Sequence, residues 1–198
     1  MRHFLSEKRI ADFFCSISAS NNCYWSSNCL GGRFYKLEKR LYTSPTVGMY
    51  MKPNDFLQLT SQLKTLSKID IGNLLLELSS EGHPVGSLLN STIYFQHYSD
   101  FESAKLSFVR RLKRIQLDNL FVVMTDRDGF EAEHFSIFQN LPFARKVLFT
   151  SNVSYKGQDN CIYIPGFKES VPDLYTEYWR LGRKSVITPL SNILSFSD

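Results

Sequence analysis

Short apolar runs alternate with amphipathic stretches along the whole chain. The clearest run is Leu120-Phe121-Val122-Val123-Met124, which breaks off at Thr125-Asp126-Arg127-Asp128-Gly129. An apolar run of this length without polar alternation predicts a strand covered on both faces, as in a parallel sheet. Other strands are predicted over 13–19, 46–51, 92–98, 146–150 and 161–164. Helical periodicity begins after Pro53-Asn54-Asp55, a good helix start, where Phe56, Leu59, Leu63 and Leu66 share one face. Ser99 and Glu102 have capping-box spacing and open a second helix. Its apolar stripe is Phe101, Ala104, Phe108, Leu112 and Ile115, and Arg110, Arg111, Lys113 and Arg114 crowd the end where cations favour the helix dipole. Shorter helices are predicted over 33–40, 131–138 and 174–181. Residues 69–78 fit strand or helix, and His83-Pro84-Val85-Gly86 reads as a turn or loop. Strands alternating with helices predict an α/β fold, a single three-layer α/β/α sandwich with a parallel or mixed central sheet. Without an internal repeat or a Pro/Gly/Ser linker, one domain is expected over 1–198, with an irregular N-terminal segment.

Composition narrows the class. Of 198 residues, 43% are hydrophobic and 21% charged, which excludes a disordered chain; 16 Phe and 10 Tyr predict an aromatic core. The net charge of +4 suits an anionic ligand but is not the strong footprint of a nucleic-acid binder. No apolar run reaches the length of a membrane span. The N-terminal stretch carries Glu7 and Asp12 and lacks a signal-peptide core, so a cytoplasmic protein is expected, with the inner membrane face as a peripheral location. Cys15, Cys23, Cys29 and Cys161 are then expected as reduced thiols, and the Cys23–Cys29 spacing is too wide for a zinc knuckle.

Four segments could carry chemistry. Asp126 and Asp128 follow a predicted strand, and two carboxylates one residue apart can turn toward a hard cation, magnesium or manganese, that bridges to a diphosphate. Arg127 between them would contact phosphate. The alternative is a helix cap and an Asp128-Gly129 turn. Asn28-Cys29-Leu30-Gly31-Gly32 lies between a predicted strand and a predicted helix. Glycines there let a ligand approach the backbone, and a cysteine near a helix start can act as a nucleophile with His97 as its base. The alternative is a buried small residue and a hydrogen-bonded histidine. Ser20, Asn21, Asn22, Ser26, Ser27 and Asn28 could meet sugar hydroxyls or simply close turns. Thr43 and Ser44, beside Pro45, could line a pocket or lead into a strand. The basic cluster containing Arg111 could attract phosphate or an anionic membrane surface, or be a solvated helix face.

Several of these segments together resemble an uncharacterised bacterial family of exopolysaccharide or capsule biosynthesis proteins. The matching stretches are Asn28-Cys29-Leu30-Gly31-Gly32, Tyr42-Thr43-Ser44-Pro45-Thr46-Val47-Gly48, Pro53-Asn54-Asp55-Phe56 and His83-Pro84-Val85-Gly86. They continue with His97-Tyr98 through Arg110-Arg111 to Ile115, Asp118-Asn119-Leu120 through Asp126-Arg127-Asp128, and Leu141-Pro142-Phe143 through Phe149-Thr150. The resemblance implies a single α/β domain linked to surface polysaccharide and carries no established reaction. The family's Ser-Asn-Asn-Cys-x-Gly-Gly stretch is matched in part by Ser20-Asn21-Asn22-Cys23 and in part by the Cys29 segment; the adjacent diglycine favours Cys29.

Three function classes follow. One is a glycosyltransferase-like transferase on a nucleotide-sugar or glycan intermediate. Asp126 and Asp128 would hold metal or donor, Arg127 and Arg111 would neutralise phosphate, and His97 would be the base. Another is a metal-free acyl or group transferase on polysaccharide that uses Cys29 and His97. The third is a non-enzymatic module that binds a glycan or another biosynthetic protein. Asn28, Gly31, Gly32, Thr43 and Ser44 complete the expected substrate contacts.

Overall fold

The computed structural model describes residues 22–80, 82–174 and 186. Its strands are β1 (Cys23–Ser26), β2 (Leu76–Leu78), β3 (Val85–Leu88), β4 (Ser91–Tyr94), β5 (Leu120–Thr125), β6 (Lys146–Thr150) and β7 (Cys161–Tyr163). Four of them form a parallel sheet in the order β1-β5-β6-β7. Successive side chains point to opposite faces of a strand. Tyr24, Phe121, Val123, Val147, Phe149 and Ile162 therefore pack on one side, and Cys23, Trp25, Leu120, Val122, Met124 and Leu148 on the other. All six residues of β5 are buried, which explains why its sequence shows no alternation.

Helix α1 (Leu30–Leu37) covers the first face with Leu30, Phe34, Tyr35 and Leu37. It sits hard against β1, because a Cβ on Gly31 would lie 2.7 Å from Cβ of Ser26. The second face is covered by α2 (Pro53–Ser61), α3 (Leu63–Leu66), α4 (Phe101–Leu112) and α5 (Ala132–Gln139), which contribute Phe56, Leu63, Phe108 and Phe138 among others. Trp25 anchors this side. Its indole donates to Thr60 Oγ1 at 2.7 Å and its ring stacks on Phe56. The fold is thus α/β, with helices on both faces of a parallel sheet. A smaller antiparallel sheet, β2-β3-β4, shares the second core through Leu88, Ile93 and the following Phe95.

Several local expectations change. The predicted strand over 46–51 reduces to one bridge, Tyr50 with Tyr94, because Gly48 takes a left-handed φ of 85°. Val85 and Gly86, expected in a turn, begin β3; a Cβ on Gly86 would lie 3.0 Å from the rings of Phe95 and Phe101, so close ring packing accounts for this glycine within a strand. Within 69–78, only Leu76–Leu78 is a strand. The cap of α4 is Asp100 rather than Ser99: its Oδ1 accepts from the Ser103 amide at 2.8 Å, and its Oδ2 accepts from Ser99 Oγ. The predicted strand over 13–19, and the predicted helix over 174–181 apart from Leu174, lie outside the described residues. No helix among the described residues is long and apolar enough to cross a membrane.

Candidate active site at the sheet edge

Parallel pairing of β1 with β5 brings the C-terminal ends of both strands side by side, with Ser26 opposite Val123. Their loops therefore emerge together, at the sheet edge where α/β folds commonly place ligands. Asn28 ties the first loop down. Its Nδ2 donates to Thr125 Oγ1 at 2.9 Å, and its Oδ1 accepts from the Leu30 amide at 3.1 Å. The next residue, Cys29, is the N-cap of α1 and uses no side-chain cap bond. Its Sγ instead lies 3.2 Å from Nε2 of His97. His97 arrives from the segment after β4, which is stitched to the loop before α2: the His97 amide donates to Gly48 O at 3.2 Å, and the Tyr98 hydroxyl donates to Val47 O.

Burial pushes the Cys29 thiol above its ordinary value, and the carboxylate of Asp173 adds to this; Arg127 and Lys36 oppose it. Burial and the neighbouring carboxylate thus favour the protonated sulfur. It becomes a nucleophile when a base takes its proton, and an imidazole nitrogen of His97 is within reach to do so. Glycines 31 and 32 lie in the first turn of α1, where amides have no intrahelical acceptor and favour negative charge.

The cysteine–histidine pair stands where two clefts meet. One, of about 320 Å³, is lined by Gly32, Lys36, Tyr42, Gly48, Tyr98 and Arg111 besides the pair itself. The other, of about 540 Å³, adds Asn28, Tyr50, Gln96, Arg127, Asp128 and Asp173. Arg111 is held in place: Nη1 donates to Val47 O and to the Tyr98 hydroxyl, both at 3.0 Å, and its guanidinium lies over the Tyr42 ring. Arg127 lies 3.9 Å from Asp173. In this second cleft Tyr50 stacks on Tyr94, with ring centroids 4.5 Å apart.

The acidic pair separates. Asp126 is buried and committed to the fold. Its Oδ2 accepts from Thr150 Oγ1 at 2.8 Å and the Ser151 amide at 2.7 Å, and its Oδ1 accepts from the Val171 amide at 2.7 Å. Asp128 instead faces the second cleft from a left-handed turn with Gly129. A carboxylate that already holds three short internal bonds is a poor second ligand for magnesium or manganese, so the residues do not fit the acid-x-acid metal site. Among the described residues, no group of three His, Cys, Asp or Glu side chains could hold a metal ion.

The remaining predicted residues divide in the same way. Gly32 lines the first cleft, whereas Gly31 serves the seam between α1 and β1. Thr43 hydrogen-bonds the Tyr35 hydroxyl, and buried Ser44 bonds Thr46, so both brace the loop behind the cleft. Lys36, Tyr42, Tyr50, Gln96, Tyr98 and Asp173 line the clefts but were not singled out from sequence. For Tyr98 a signal existed, its place beside His97; for Asp173 there was none, since it arrives from beyond β7.

Comparison with known proteins gives a family without a reaction. The family described as Domain of unknown function (DUF1919) matches residues 3–188. An uncharacterized protein of Haemophilus influenzae (strain ATCC 51907 / DSM 11121 / KW20 / Rd) is 34% identical over 144 residues, covering 73% of this chain and 68% of that protein.

Proposed function

The chain belongs to the DUF1919 family, and we propose that it is a cysteine-dependent group transferase in which Cys29 is the nucleophile and His97 the base. The observation that carries this reading is the 3.2 Å approach of Sγ to Nε2 at the junction of two clefts. In the first half-reaction His97 takes the thiol proton while sulfur attacks an acyl carbonyl. The tetrahedral intermediate collapses to a thioester, and the leaving alkoxide or thiolate takes the proton back from the imidazolium. In the second half an acceptor hydroxyl gives its proton to His97, attacks the thioester and restores the free thiol. Donor and acceptor would enter through different clefts, which is why transfer is favoured over hydrolysis.

A hydroxyl-rich acceptor suits the polar cleft beside Asn28, Gln96 and Asp128. A glycan acceptor also agrees with the resemblance to exopolysaccharide and capsule proteins, and that link stays part of the proposal. The glycosyltransferase-like reading is weaker, because it asks Asp126 to hold metal or donor while its oxygens are already engaged.

The test is acylation by p-nitrophenyl acetate, followed by release of p-nitrophenol and by peptide mass spectrometry. The expected result is a hydroxylamine-sensitive acetyl group on Cys29, formed at neutral pH at least about tenfold faster than in His97→Ala, a modest share of what a positioned base contributes. In that variant the rate should climb only as the pH approaches and passes the ordinary thiol value, since burial raises the Cys29 thiol. Equal rates in both proteins, or acetyl spread evenly over Cys15, Cys23, Cys29 and Cys161, would overturn the proposal and favour a non-enzymatic binding module.

A further inference from the structure

The first cleft has a feature that nucleophilic chemistry alone does not require. An arginine is fixed inside it. Arg111 spends one nitrogen, Nη1, on Val47 O and the Tyr98 hydroxyl, and Tyr42 supports the guanidinium plane. A guanidinium has five N–H donors in a rigid fork. With Nη1 committed, the fork cannot rotate freely, and its other donors belong to a cleft that also contains Cys29 and Lys36. No acidic side chain lines this cleft among the described residues. Across Cys29 the second cleft has two acids, Asp128 and Asp173, beside its Arg127. The two sides of the pair thus differ in the charge they favour.

We propose that the cleft holding Arg111 and Lys36 binds the oxyanion, carboxylate or phosphate, of the donor substrate and so places the transferred group at Cys29. The proposal rests on the cysteine–histidine reading above and names the chemical class of donor. Binding would use the fork of Arg111 for two oxygens and Lys36 as a point charge at the cleft mouth. The Tyr42 and Tyr98 rings would cover the adjoining apolar part of the donor.

Two alkylating reagents of nearly equal size separate the two claims. Iodoacetamide is neutral and iodoacetate carries a carboxylate. Both form an S–C bond at Cys29 and expel iodide, and the thiol proton goes to His97. The quantity measured is the ratio of the iodoacetate rate to the iodoacetamide rate at Cys29, followed by peptide mass spectrometry. Relative to the unaltered protein, the ratio is expected to fall roughly tenfold when Arg111 is replaced (Arg111→Gln), about 1.4 kcal/mol of lost ion pairing. It should fall less for Lys36→Ala; because the lysine also lowers the Cys29 thiol, its loss slows both reagents alike, and the ratio cancels that shared change. Inorganic phosphate should slow iodoacetate competitively in the unaltered protein and much less in Arg111→Gln.

A ratio unmoved by both substitutions, or phosphate that slows both reagents equally, would overturn the anion site while leaving the nucleophile untouched. Should Arg111→Gln fail to fold, Lys36→Ala, whose residue is exposed on α1, and the phosphate competition decide the matter. Loss of the His97 dependence of the iodoacetamide rate would instead sink the nucleophile reading, so the two failures are distinguishable.

Discussion

The loops after β1 and β5 are neighbours in space and similar in sequence character, both short and polar with glycine close by, yet the fold uses them in opposite ways. In the β5 loop the buried carboxylate of Asp126 is spent on Thr150, Ser151 and Val171. It gathers the ends of β5 and β6 and the 171 segment at one point. In the β1 loop Asn28 does the tying, and the side chain after it is left facing a histidine across open cleft. A polar residue whose bonding capacity is filled from within holds the fold together. One whose single partner is another reactive group, at a cleft, is available for chemistry. Sequence pattern made the two loops look equally chemical; hydrogen-bond occupancy separates them.

Three substitutions would break or sharpen this contrast. The largest effect is expected for Asp126→Ala, which strands the Ser151 and Val171 amides in a buried place. A stability loss of about 3 kcal/mol or more is expected in urea unfolding, from buried donors left without acceptors. A loss under about 1 kcal/mol would mean that the carboxylate is dispensable to the fold and would reopen its chemical role.

Next is Asn28→Ala, which removes the bond to Thr125 and the cap on the Leu30 amide. A loss of about 1 kcal/mol is expected, together with a slower His97-dependent labelling of Cys29, because the loop that aims the sulfur loosens. Unchanged labelling would show that Cys29 is positioned by α1 alone. The smallest stability effect is expected for Cys29→Ser, within about 0.5 kcal/mol in the same unfolding assay, since the thiol is half-buried and caps nothing. A large loss there would make Cys29 a structural residue and erase the contrast between the loops.

The elements legible in the sequence are those whose signal is local. The β5 run needed only its unbroken apolar stretch, and α4 only its stripe from Phe101 to Leu112. Where distant groups decide, pattern misleads. Gly86 looked like turn chemistry, but the nearby rings of Phe95 and Phe101 accommodate it within a strand. Ser99 has capping-box spacing to Glu102, but the cap is Asp100, whose carboxylate reaches the Ser103 amide.

The site was legible in the same uneven way. Cys29 and His97 could be named from their places beside predicted strands, but their 3.2 Å approach depends on Gly48 and Val47 holding the segment after β4. Arg111 reads from sequence as one of four clustered charges that either meet phosphate or form a solvated helix face; it turns into the cleft because Tyr98 and the Val47 carbonyl receive it.

The seam at Gly31 has a consequence for how this pair can vary. A side chain there would collide with Ser26, so the junction of β1 and α1 tolerates almost no drift, and Cys29, two residues away, inherits that immobility. The histidine is mounted differently, on a segment exposed at residues 96 and 97 and held by two hydrogen bonds, from the His97 amide to Gly48 O and from the Tyr98 hydroxyl to Val47 O. Substitutions around residues 47–48 and 96–98 are therefore the ones expected to retune reactivity, through the reach and angle of the base, while the sulfur stays where the sheet puts it.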